Sequence, residues 1–167
     1  KEAGYLHLRR IFSQIKVTEI KKRKFRLVAD CANGAGATLL PRFLQELGAE
    51  VRFINTELSG KFAHQSEPTP ENLKELGHEV RAFRADLGLA QDADADRLAL
   101  VDEQGQPLGE DATLTLSVDH VLSRKKGPVV VNLSSSMVIE DIARKYGVRV
   151  YRTKIGESNV VEKMLET

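Results

Sequence analysis

The chain has 167 residues, 25 Lys plus Arg against 24 Asp plus Glu, 41% hydrophobic and 29% charged, a composition that excludes a disordered chain and fits one globular domain or slightly more. It holds no run of about 18 apolar residues and its basic start lacks the apolar stretch of a signal peptide, so neither a membrane span nor secretion has support and the chain reads as cytoplasmic. A single cysteine, Cys31, excludes an intramolecular disulfide framework and a CxxC-type zinc site.

In chain order, Tyr5, Leu8, Ile11, Phe12 and Ile15 fall at helical spacing and predict one amphipathic helix. Residues 1–26 carry nine Lys or Arg against two acids, and the stretch 16–26 reads as a solvated linker entering a domain. It has no interleaved aromatics beyond Phe25, so nucleic-acid and membrane-surface binding are not assigned. From Phe25 short apolar strands alternate with helical stretches, the pattern of an α/β domain with a mostly parallel sheet. A strand at 25–30 meets the turn Asn33-Gly34-Ala35-Gly36, a helix at about 37–47 is closed by Gly48, and a strand follows at 50–55. A loop at 56–69 precedes a helix from Pro70 to about Ala85 with Leu73, Leu76, Val80 and Phe83 on its inner face. Strands at 87–91 and 98–101 flank the run Asp92-Ala93-Asp94-Ala95-Asp96, and 102–105 reads as a hairpin turn into Pro107. A helix is expected at about 110–123, a basic Gly-Pro linker at 124–128, then strand, helix, strand and helix over 129–167. The 39 residues after the linker are too few to close a separate core, so one whole α/β domain plus the opening of a second is expected.

The strongest chemical feature is the run 92–97. Three carboxylates separated by small residues, just after an apolar strand, can converge their oxygens on one hard cation, and the carboxyl ends of strands are where open α/β sheets bind ligands. An EF-hand reading fails because Arg97 stands where that loop needs Gly and 98–101 continues as a strand where a helix should begin. Magnesium acting on a phosphate fits better: three carboxylates and a divalent cation leave one negative charge, which Arg97 cancels, so a phosphate can dock. The turn at 32–36 lacks the GxGxxG spacing and the P-loop Lys and reads as a structural turn. At 153–158, Lys154 and the amides after Gly156 suit an anionic ligand. His7, His64, His78 and His120 show no metal-ligand spacing and receive no role.

Taken together, VADCANGAG at 28–36, EPTPENL at 67–73, the 92–97 run and TKIGESNVVEKM at 153–164 resemble the α-D-phosphohexomutase superfamily, which includes phosphoglucomutase/phosphomannomutase and phosphoglucosamine mutase. The resemblance covers residues 25–167. It implies a helix and basic linker from a preceding domain at 1–24, a three-layer α/β/α metal-binding second domain at 25–124, and the opening βαβα of a similar sugar-binding third domain at 125–167. It further implies Asp92, Asp94 and Asp96 as ligands of Mg2+ beside a phosphoserine, Arg97 bordering that phosphoserine, and Lys154 facing a hexose phosphate substrate. The reaction so implied moves a phosphoryl group between C1 and C6 of a hexose through a bisphosphorylated sugar. The family loop usually reads Asp-Gly-Asp, whereas Ala93 stands here in place of that Gly, and a demand for positive φ there would strain the loop. The phosphoserine, Glu-Met-Ser-Gly-His and phosphate-clamp motifs are absent from these residues, so catalysis requires further domains of the same polypeptide. The alternative is a stand-alone module that binds a divalent cation or an anionic ligand.

Overall fold

The computed structural model describes residues 2–65, 67, 69–109 and 111–167, which divide into two compact units, Lys1–Glu110 and Asp111–Thr167. The first unit begins with helices α1 (Glu2–Gln14) and α2 (Val17–Arg23) and continues with strand β1 (Arg26–Asp30). A 3-10 turn (Ala35–Thr38) leads into α3 (Leu40–Glu46), followed by β2 (Glu50–Ile54), α4 (Lys74–Phe83), β3 (Leu87–Gln91) and β4 (Leu98–Val101). The sheet runs β2-β1-β3-β4, with β1 parallel to both β2 and β3, and β4 antiparallel to β3.

Alternation along β1 splits its side chains between two cores, as the period-2 pleat requires. Val28 packs with Ala90, Ala99 and Val101 against Leu73, Leu76 and Val80 on the α4 side. Leu27 and Ala29 pack with Leu44, Leu40 and Phe43 on the α3 side. The first unit is thus the expected α/β/α sandwich, and the parallel pairs place the carboxyl ends of β1 and β3 side by side, with Asp30 opposite Ala90. The hairpin expected after β4 forms, with Val101 bridged to Pro107.

Several boundaries differ from the sequence expectation. Residues 17–23 form a helix where a linker was expected, because Glu19 lies in the first turn and Lys21, Lys22 and Arg23 in the last, charges that complement the helix dipole. The α1 stripe docks within the first unit, stacking Phe12 on Phe43 at 5.6 Å and burying Leu8. The helix expected from residue 37 starts at Leu40 after the 3-10 turn, with Pro41 in its first turn where no N–H partner is needed. Pro70 lies in a turn, and α4 begins at Lys74.

The second unit contains α5 (Ala112–Leu122), β5 (Val129–Asn132), α6 (Val138–Tyr146), β6 (Val150–Thr153) and α7 (Glu157–Glu166), with β5 parallel to β6. Its buried apolar residues are Leu122, Val131, Ile139 and Ala143. The units part at 110/111 and not at the compositional step near 124, because α5 packs on α6: Asp119 accepts hydrogen bonds from Lys145 Nζ at 2.9 Å and Tyr146 Oη at 3.0 Å. Among the described residues, no helix is long and apolar enough to cross a membrane.

Candidate metal centre

The turn between β3 and β4 sits at the carboxyl ends of β1 and β3, and it carries all three aspartates of the acidic run. Asp92 is buried at 1% exposure, while Asp94 and Asp96 face solvent. One carboxylate oxygen from each residue lies within 4.8 Å of the others. The backbone bends to achieve this: Ala95 N–H donates to Asp92 O at 3.2 Å, and Ala95 takes a left-handed φ of 64°. Ala93 is absent from the positive-φ residues, so its methyl causes none of the strain that a demand for positive φ would have brought. The strain falls two residues later, at Ala95.

Arg97 offsets part of this charge. Its Nε donates to Asp92 Oδ2 at 2.6 Å and its backbone N–H to Asp92 Oδ1 at 3.1 Å, while Nη1 reaches Glu67 Oε1 at 3.3 Å. Burial pushes the Asp92 carboxyl up, and the two hydrogen bonds from Arg97 outweigh it, so the group is held below the usual carboxylate range. Asp96 moves the other way, raised by the charge of Asp94 and by its contact with Asp92. The shifts oppose because Arg97 serves Asp92 first, whereas Asp96 feels mainly the neighbouring acids.

The turn at 32–36 has the structural role expected of it, and that role is to brace the acidic loop. Ala35 N–H donates to Ala93 O at 2.8 Å. A Cβ on Gly34 would stand 2.4 Å from Ala93 O, so glycine is required there by close approach, not by a positive φ. A Cβ on Gly36 would likewise meet the side-chain oxygen of Gln91 at 2.0 Å. Behind the turn, the buried Cys31 thiol is pushed up to about 11 by burial and by the charge of Asp30, which keeps it protonated and inert.

Of the residues singled out in the sequence, the structure brings Asp92, Asp94, Asp96 and Arg97 together, while Lys154 stands in the second unit, exposed between β6 and α7. Sequence reasoning passed over two others. Asp30 is fully buried, and His64, given no role from its spacing, places Nε2 3.0 Å from Asp30 Oδ2. An acid closing the apolar strand 27–29 was the available signal for Asp30. His64, 34 residues away, offered none.

Residues 5–105 match the family model described as phosphoglucomutase/phosphomannomutase, alpha/beta/alpha domain II, and residues 109–167 match that of domain III. A probable phosphoglucosamine mutase of Methanopyrus kandleri is 42% identical over 163 residues, covering 96% of this chain and 35% of the relative. A phosphoglucomutase/phosphomannomutase of Thermococcus kodakarensis is 40% identical over 162 residues, covering 96% of this chain and 36% of the relative. Among solved structures, a phosphoglucomutase/phosphomannomutase family protein from Burkholderia thailandensis superposes with a TM-score of 0.86 at 32% identity, over 98% of this chain and 36% of that one. The chain spans little more than a third of the length of these relatives.

Proposed function

Because the chain belongs to the phosphoglucomutase/phosphomannomutase family, we propose that it carries the magnesium loop of a phosphohexomutase, with Asp92, Asp94 and Asp96 as the metal ligands and a hexose phosphate as substrate. The observation that carries this reading is the convergence of three carboxylate oxygens within 4.8 Å at the carboxyl end of a parallel sheet. The donor set fits the ion. Magnesium takes hard oxygens and keeps positions for phosphate and water, and Asp92, Asp94 and Asp96 would supply carboxylate oxygens to it. Both Asp92 oxygens bond to Arg97, yet each retains a lone pair for a cation.

Bound there, magnesium supplies neutralisation of charge on a phosphoryl group, which lets a sugar hydroxyl approach it. Arg97 fixes the orientation of Asp92 and, with its side chain 52% exposed, presents guanidinium to an incoming phosphate. Lys154, exposed after β6, can receive an anionic group of the sugar phosphate. The phosphoryl group would pass between C1 and C6 of the hexose through a bisphosphorylated sugar, with the serine nucleophile and remaining recognition groups supplied by other domains of the polypeptide.

Titration calorimetry of magnesium into the 167-residue chain tests the metal assignment. Binding is expected in the wild type and at least about tenfold weaker, or about 1.4 kcal/mol, in the Asp94→Ala, Asp96→Ala double variant. Equal affinity in the two would sink it. The chain by itself is expected to show no turnover of glucose 1-phosphate, mannose 1-phosphate or glucosamine 6-phosphate with magnesium present. Turnover from a preparation free of host mutase would overturn the division of labour among domains.

A further inference from the structure

Asp30 closes β1 as a fully buried carboxylate, and its partners account for both oxygens. Oδ1 accepts from Ala32 N–H at 2.8 Å and from Asn55 Nδ2 at 3.1 Å. Oδ2 faces His64 Nε2 at 3.0 Å, and the other ring nitrogen, Nδ1, lies 2.7 Å from the carbonyl oxygen of Gln65. Both ring nitrogens therefore meet oxygens that only accept, and a neutral imidazole can donate to one of them alone. The arrangement is satisfied by a ring that carries both protons.

The segment held by this ring, 55–65, reaches the acidic loop through one residue. Asn33 Oδ1 accepts from Glu57 N–H at 2.8 Å, Asn33 Nδ2 donates to Lys61 O at 3.1 Å, and Asn33 N–H donates to Asn55 O at 2.7 Å. Two residues on, Ala35 N–H donates to Ala93 O. We propose that His64 is a positioning residue: as an imidazolium tying segment 55–65 to Asp30, it fixes the Asn33 turn against which the backbone of the acidic loop rests. The importance of that loop rests on the magnesium reading above, whereas the tie itself does not.

The charged groups acting on the ring are Asp30 from β1 and Glu75 from α4, both acidic. Burial lowers the basicity of His64, and the hydrogen bonds to Gln65 and Asp30 with the two acidic charges outweigh it, so the ring titrates above its ordinary value of 6.5. A group whose folded value is raised contributes its full stabilisation below the ordinary value and loses it as pH rises through the raised one. The tie is therefore closed in acid and released in base.

Proton NMR of the wild-type chain, with no metal and no substrate, tests this through the His64 ring and the exchange of the Glu57 and Ala35 amides, referenced to the Ala29 amide in β1. The ring is expected to titrate above the ordinary imidazole range, and both amides to lose at least about fivefold in relative protection across that titration. In His64→Gln, which keeps a donor and loses the charge, the protection of both amides should no longer follow pH. A His64 titration at or below its ordinary value overturns the proposal, as does an identical pH profile in wild type and variant. Titration of Glu57 with a flat Ala35 overturns the positioning role. Each readout stands whether or not magnesium binds.

Discussion

Each unit ends a parallel strand in a loop organised by one arginine, and the two arginines do opposite things. In the second unit Arg152 donates to Glu140 through Nε at 2.7 Å and Nη2 at 2.9 Å, and to the carbonyls of Asn132 at 3.2 Å, Ser135 at 2.8 Å and Ser136 at 3.3 Å. Asn132 Oδ1 accepts from the backbone and hydroxyl of both Ser134 and Ser135, so this loop satisfies itself and its one ion pair is balanced. In the first unit Arg97 faces Asp92, Glu67 and, at 3.9 Å, Asp96, with Asp94 close by, so acids outnumber the base. An arginine occupied by carbonyls clips a loop shut. One outnumbered by carboxylates leaves net negative charge at the loop, as the proposed metal site requires.

The largest effect is expected at the clip. Arg152→Ala removes all the bonds that its guanidinium makes to Glu140 and to the loop carbonyls, and the second unit should lose the amide protection of 134–136 and unfold well before the first, as read by hydrogen exchange. Arg152→Lys should not restore it, because an ammonium cannot span the same fork of acceptors. Next comes Arg97→Ala, which leaves the buried Asp92 carboxylate uncompensated. The half-exposed guanidinium limits the cost to about 2 kcal/mol in the first unit. Magnesium should then stabilise this variant more than the wild type, since the ion replaces the missing charge. Equal stabilisation would break the contrast between the two arginines.

Glycines sharpen it further. Gly34→Ala forces a methyl against Ala93 O and should cost about 2 kcal/mol by chemical denaturation while weakening magnesium binding. Gly127→Ala in the second unit meets nothing within 4 Å and should lie within about 0.5 kcal/mol of the wild type. The smallest effects concern the two spacer alanines. Ala95→Gly relieves the left-handed φ and should stabilise by about 0.5 kcal/mol, whereas Ala93→Gly gains no relief and should destabilise by a similar amount with magnesium affinity within a few-fold. A reversed order would mean that position 93 carries the strain.

Most of the fold was legible in the chain because its signals are local. The apolar strand runs 27–29 and 87–90, the inner face Leu73, Leu76 and Val80, and the acids at alternate positions after β3 all lie within a few residues of one another. Periodicity and spacing report such features directly. The α2 helix was missed although its charge order is local, because its run of bases reads equally as a solvated linker.

By itself the sequence determined the α/β alternation, the placing of three aspartates and Arg97 in one turn, and the family. The tertiary structure alone decided that Gly34 is glycine for the sake of Ala93, that strain sits at Ala95, that α5 packs with the second unit, and that His64 answers the buried charge of Asp30. Each of these depends on a close approach between segments far apart in the chain, or on the backbone angle such approaches impose. A residue's own neighbours in sequence carry no record of either.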